Sequence, residues 1–181
     1  MPAKNILITG RPGVGKTTLI FRLIEQINLP CVGFYTAEIR ESGRRTGFEA
    51  IALHGPKLIM SHVDIKSPYR VSKYGVDVAN FERFLKEIPF FDPKYAFIVI
   101  DEIGKMECFS PLFKKLILKL LDHDTPLIAT IALRGDAFIE SIKTRHDVHV
   151  YTVTYDNRDK LAMELYPVLK ELAKGRNKEA N

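Results

Sequence analysis

Gly10-Arg11-Pro12-Gly13-Val14-Gly15-Lys16-Thr17 decides the reading of this chain. The stretch satisfies G-x-x-x-x-G-K-[ST] in full. Before it, Asn5-Ile6-Leu7-Ile8-Thr9 is an apolar run of the kind buried on both faces of a parallel sheet. After it, Ile20, Leu23, Ile24 and Ile27 recur at helical spacing, and Pro30 stops the helix. Strand, glycine-rich bend and helix, in that order, make a cradle for phosphate. The glycines let successive N–H groups turn inward on phosphate oxygens, and the first helical turn adds unpaired donors and a positive dipole end. Lys16 is expected to set its ammonium against the β- and γ-phosphates. The Thr17 hydroxyl is expected to ligate Mg²⁺, and Thr18 to reach the α-phosphate.

A second motif lies downstream. Ala96-Phe97-Ile98-Val99-Ile100-Asp101-Glu102 reads as an apolar strand, Tyr95 to Ile100, that ends in two acids. Alone, such a pair is an ordinary solvated strand end. With a phosphate loop upstream it acquires a role. A strand lying beside the first would bring Asp101 to the metal, through a water, and turn Glu102 toward the space beyond the γ-phosphate. A carboxylate there orients an attacking water and takes its proton.

Charge spreads over the γ-phosphoryl oxygens during transfer, so a cation besides Lys16 is wanted. Arg11, Arg44, Arg45, Arg134 and Arg145 are available. Arg134, after an apolar run, is the catalytic candidate, whereas Arg145 is expected at the opposite rim. Asn157 and Arg158 follow the last expected strand, at the rim where a nucleoside base belongs. Asn157 is also a natural helix cap, and Arg158 a surface for stacking. The five histidines show no i, i+4 pairing with a helical glutamate, so no histidine metal site is expected.

Strand and helix patterns alternate along the rest of the chain. Residues 32–41 and 46–54 read as a hairpin around Ser42-Gly43-Arg44-Arg45, with 57–63 a further strand. Val78, Phe81, Phe84, Leu85 and Ile88 mark a helix over 77–88, and Ser110-Pro111 opens another by cap and N1 proline. Strands are expected over 127–133 and 148–154, and helices over 136–144 and 157–173. The fold class is therefore α/β, a three-layer, doubly wound, mostly parallel sheet with an antiparallel hairpin at one edge, whose ligands bind beyond the carboxyl ends of the strands.

Length and composition are consistent with one domain over 1–174 and a flexible basic tail over 175–181. The chain has 181 residues, 46% of them hydrophobic and 27% charged. No apolar run reaches bilayer length and no leader pattern precedes Asn5, so a cytoplasmic protein is expected. Cys31 and Cys108 have neither disulfide nor zinc spacing. The net charge of +5 is scattered, which ranks nucleic acid below nucleotide as a partner.

The loop, Ile100-Asp101-Glu102-Ile103-Gly104-Lys105-Met106-Glu107, Gly33-Phe34-Tyr35-Thr36, Gly47-Phe48 and Asn157-Arg158 together resemble the small nucleoside-triphosphatase family described from thermophiles, which includes the human cancer-related nucleoside-triphosphatase. The resemblance covers nearly the whole chain. It implies a P-loop NTPase core of RecA-like or AAA-like type and slow, Mg²⁺-dependent hydrolysis of several nucleoside triphosphates, ATP and GTP among them, to diphosphate and phosphate. The expected parts are Lys16, Glu102 and Arg134 for catalysis, Thr17 and Asp101 for the metal, and Gly10 to Thr18 with Asn157 and Arg158 for the nucleotide. A monomer is expected. The competing enzyme reading is a kinase passing the γ-phosphate to a small nucleoside or nucleotide. The competing binding reading is a nucleic-acid-stimulated module.

Overall fold

The computed structural model describes residues 3–179, with side chains described as far as residue 175. The elements are β1 (Asn5–Thr9), α1 (Lys16–Ile27), β2 (Cys31–Glu41), β3 (Arg44–Ala52), β4 (Lys57–His62), β5 (Arg70–Val71), β6 (Tyr74–Val76), α2 (Val78–Glu87), β7 (Phe97–Ile103), a 3₁₀ turn (Glu107–Phe109), α3 (Pro111–Asp122), β8 (Leu127–Ile131), α4 (Ala137–Lys143), β9 (Val148–Thr152) and α5 (Arg158–Glu179). They form one nine-stranded sheet in the order β5-β6-β4-β3-β2-β7-β8-β1-β9.

From β2 to β9 in that order every pairing is parallel, and from β2 to β5 every pairing is antiparallel. Helices cover both faces. On one, α1 and α5 pack Leu19, Ile20, Leu23, Leu161 and Leu165 against Ile6, Ile8, Phe97 and Val99. On the other, α2, α3 and α4 pack Phe81, Phe84, Phe113, Ile117, Ile139 and Ile142 against Leu7, Ile98, Ile100 and Ala129. Alternate residues of β7 serve opposite layers, as the two-residue period of a strand dictates. This is the three-layer α/β sheet expected from the alternating pattern.

Local signals set most boundaries. Asp77 caps α2 by accepting from the Asn80 N–H at 3.0 Å, and Ser110 caps α3 by accepting from the Phe113 N–H at 2.9 Å. The β2–β3 turn is tighter than expected. Ser42 and Gly43 both take positive φ, 48° and 77°, which closes a two-residue hairpin, so Arg44 and Arg45 already belong to β3. The strand expected over 57–63 is β4, and β6 and β5 extend the antiparallel edge beyond it.

Three further differences concern the site. First, β7 does not lie beside β1, since β8 stands between them. Second, Asp101 and Glu102 lie inside β7, which continues to Ile103 with an irregularity in its pairing with β8 between Ile100 and Ile103. Third, β8 and β9 end at Ile131 and Thr152, earlier than expected, which releases Arg134 and Thr154 into loops at the carboxyl rim. At the chain's end α5 is helical to Glu179, so the boundary expected at residue 174 is not a helix end; Ala180 and Asn181 lie outside the described residues. Cys31 and Cys108 are both free and buried. Among the described residues no helix is long and apolar enough to cross a membrane.

Candidate nucleotide site

The loop between β1 and α1 has the backbone its sequence calls for. Gly13 and Gly15 have φ of 76° and 101°, in the region where side chains strain the backbone. Gly10 is needed for closeness, because a Cβ there would stand 2.6 Å from the Val153 carbonyl oxygen. Gly15 precedes α1 without any side-chain cap, so the first N–H groups of the helix have no cap side chain to satisfy them and face the loop's hollow. Lys16 folds back over that hollow, its ammonium donating to the Gly10 carbonyl at 3.2 Å.

The acidic strand meets the loop directly. The Thr17 hydroxyl donates to Asp101 Oδ2 at 2.7 Å, and the Thr130 hydroxyl donates to Asp101 Oδ1 at 2.5 Å. Thr130 sits on β8, so the strand that separates β1 from β7 supplies the contact that orients the acid. Thr130 was not among the expected site residues. Its signal was a lone polar side chain in the apolar run Leu127–Ile131. Asp101 is buried, and burial raises its pKa above the ordinary 3.8 against the hydrogen bonds of Thr130 and Thr17 and the charge of Lys16.

Glu102, half-buried beside Asp101, also titrates above its usual range. Burial is the main cause; the Lys16 charge opposes it and the Asp101 charge adds to it. Behind it Glu107 is 5% exposed, and burial pushes its carboxyl up to about 8. The two side chains flank Gly104: a Cβ there would stand 2.9 Å from Glu107 Oε2 and 3.6 Å from Glu102 Cδ.

The remaining expected residues divide by position. Arg11 and Arg134 are exposed and, among the described residues, neither guanidinium has a hydrogen bond or ion pair. Arg45 is engaged elsewhere, pairing with Glu38 at 2.7 Å and lying over Phe48 and Tyr74. Arg145 is at the amino-terminal rim, bound to Asp147 at 2.8 Å and Asp122 at 2.6 Å, as expected. Asn157 spends its amide within its own turn, accepting from the Thr154 N–H at 2.7 Å and donating to the Thr152 carbonyl at 2.9 Å. It therefore shapes the turn that presents Arg158.

Hard oxygen donors side by side, one hydroxyl and one carboxylate, suit a magnesium ion that shares its remaining positions with phosphate and water. Among the described residues no group of three or more His, Cys, Asp or Glu is placed to hold a metal by itself.

The sequence profile of the NTPase family matches residues 5–166, from the first strand into the last helix. The chain belongs to the NTPase family. With the family it is a hydrolase, and the site just described lies wholly within the matched span. It is 43% identical to "Nucleoside-triphosphatase THEP1" of Thermotoga sp. (strain RQ2) over 167 residues, covering 92% of this chain and 95% of that protein. It is 39% identical to the human "Cancer-related nucleoside-triphosphatase" over 180 residues, covering 90% of this chain and 95% of that one. Among solved structures it resembles the crystal structure of THEP1 from Aquifex aeolicus, with a TM-score of 0.77 and 35% identity over 91% of this chain and 98% of that one.

Proposed function

We propose that this NTPase hydrolyses nucleoside triphosphates, ATP and GTP among them and without strict base preference, to the diphosphate and phosphate, with Thr17 and Asp101 as the residues that would hold Mg²⁺, in the cytoplasm. The observation that carries the reading is the 2.7 Å contact from Thr17 to Asp101, which joins the phosphate loop to the acidic strand. Bound there, the metal would draw charge from the β- and γ-phosphate oxygens.

The chain's own residues account for the rest. The loop N–H groups and Lys16 hold the triphosphate in line. Glu102 orients a water against the γ-phosphorus. As the new oxygen–phosphorus bond forms, the bond from the γ-phosphorus to the β–γ bridging oxygen breaks, the water's proton passes to Glu102, and the diphosphate leaves with its charge facing Lys16. A carboxyl whose pKa burial has raised is a better acceptor for that proton than an exposed one. Arg134, exposed and, among the described residues, unpaired on a loop at the carboxyl rim, is the guanidinium we assign to the γ-phosphoryl group.

Water as the acceptor is favoured over a nucleoside by Glu102, a base beside the phosphate loop. The test is phosphate release from ATP, GTP, CTP and UTP with Mg²⁺ and with a chelator, no second substrate being added. Release from all four that stops with the chelator supports the reading. No release until a nucleoside acceptor is added would replace it with phosphoryl transfer.

A further inference from the structure

The hydrolytic chemistry leaves one buried acid without a task. Glu107 opens the 3₁₀ turn after β7, a place where an acid ordinarily faces water, yet its side chain is turned inward. Among the described residues no cation pairs with it, which is how a buried carboxylate is normally kept charged. Its carboxyl accepts instead from backbone N–H groups, its own and that of Gly104. Gly104 follows Glu102 by two residues, and the chain is tightly wound there. The Cys108 N–H donates to the Gly104 carbonyl at 3.0 Å, and the Ser110 N–H to the Glu107 carbonyl at 3.0 Å. Glu102 packs on the same glycine. A Cβ on Gly104 would stand 3.5 Å from Glu102 Cγ and 2.9 Å from Glu107 Oε2, so the stem of the base and the buried acid meet over one residue.

Asp101, Glu102 and Glu107 are three carboxyl groups near one ammonium. Lys16 favours the charged forms of Asp101 and Glu102, whereas Glu107 feels only burial and the charges of those two acids against the two backbone hydrogen bonds. The proton of the trio therefore rests on Glu107. From its own turn Cys108 faces it, with a thiol that burial keeps neutral. Lys114 on α3 and Asp136 before α4 act on Cys108 and pair with each other at 2.9 Å. Glu82 on α2 accepts from the Ser110 hydroxyl at 2.7 Å.

We propose that Glu107 is a positioning residue for hydrolysis: carrying its proton, it ties down the Gly104 turn against which the Glu102 side chain lies, and it lets go of that turn when it ionises. The inference deepens the reading of Glu102 as the base and rests on it. The neutral acid adds no third negative charge beside the triphosphate and fixes the Glu102 stem from behind. Loss of its proton would bury an unpaired charge next to two others. Only carrying the carboxyl out to water relieves that state, and the turn goes with it. Glu102 then keeps its charge but not its place, and a misplacement of about 1 Å can cost about a hundredfold in rate. Turnover should therefore have an alkaline limb.

The test is steady-state phosphate release from Mg²⁺·ATP over roughly pH 6.5 to 9 on the wild type, Glu107→Gln and Glu107→Asp. Glutamine keeps the shape and the acceptor and cannot ionise. Aspartate keeps the acid but is one methylene short of the Gly104 N–H. Wild-type kcat should fall as pH rises through about 8, to roughly a tenth of its plateau one unit beyond, with KM within about threefold. Glu107→Asp should lose about tenfold or more in kcat at every pH. Glu107→Gln, the conservative replacement, should bring kcat back to within about threefold of the wild-type plateau and show no limb. A wild type without the limb, or a limb kept in Glu107→Gln, would overturn the proposal, as would an aspartate variant faster than the glutamine one. So would an effect on KM alone, which would make Glu107 a charge felt by the triphosphate and not a support for the base. A wild type that releases no phosphate at any pH would instead sink the hydrolytic reading, and this inference with it.

Discussion

Thr17 in the first turn of α1 and Asp101 in β7 are in direct contact, hydroxyl to carboxylate at 2.7 Å, although β8 separates β7 from β1, the strand that leads into α1. The contact is possible because Asp101 points to the same face as α1, and because Thr130 on the intervening strand holds the second carboxylate oxygen. The Thr17–Asp101–Thr130 cluster is thus assembled from three elements far apart in sequence.

Asp101→Asn separates function from folding. Burial disfavours the charged form of Asp101, so a neutral amide of the same shape relieves a cost while it removes the carboxylate proposed to hold the metal. Phosphate release should fall by at least ~100-fold, while thermal stability of the nucleotide-free protein changes by less than about 1 kcal/mol. Steady-state turnover and thermal denaturation measured on one preparation check both halves.

Thr130→Val removes the donor to Asp101 Oδ1 and keeps the side-chain shape. Ligands that outer partners orient typically lose about 10- to 100-fold in metal affinity when those partners go, so the Mg²⁺ concentration for half-maximal turnover should rise within that range. Thr130→Ser restores the hydroxyl and should restore the wild-type Mg²⁺ dependence. A Mg²⁺ titration of turnover on both variants decides it; an unchanged midpoint in the valine variant would mean that Thr130 only fills space.

Glu107 makes stability depend on pH. Its folded pKa of about 8 lies above the ordinary 4.5, so between those values the folded chain binds more protons than the unfolded one. The contribution of Glu107 is fully present below about 4.5 and is lost as pH rises through about 8. In Glu107→Gln that loss disappears, and the variant should gain stability relative to the wild type as pH rises from 5 to 8, on the order of 1 kcal/mol or more. Denaturant melts at several pH values measure the difference, and parallel curves would show that Glu107 is ionised in the fold.

The rate should carry an acid limb set by Glu102. Burial raises its pKa above 4.5, and a base works only when deprotonated, so kcat/KM should fall on acidification with an inflection above the ordinary glutamate value. An inflection at or below 4.5 would place the proton acceptor elsewhere.

How much of this was legible in the sequence depends on how local each signal is. The phosphate loop was readable because its residues are consecutive and each glycine has a backbone reason to be there. The cap at Ser110 was readable for the same cause, whereas Asp77, taken as the first residue of its helix, is the cap before it. The place of β8 between β1 and β7 was not, because strand order comes from crossovers that leave no periodic trace, and Thr130 went unnoticed with it. β5 and β6 have two and three residues, too few to show any period. Arg134 and Arg158 look alike in sequence, two arginines after apolar runs; only the Tyr155 ring, over which the Arg158 guanidinium lies, tells their surroundings apart.

The account stands on Glu102 as the group that takes the water's proton, and Glu102→Gln tests it most directly. Turnover of ATP and the dissociation constant of Mg²⁺·ATP are measured together on this variant. Turnover should drop by at least ~100-fold while affinity stays within about threefold of the wild type, because the amide occupies the same space and cannot accept the proton. Wild-type turnover in Glu102→Gln would contradict the account.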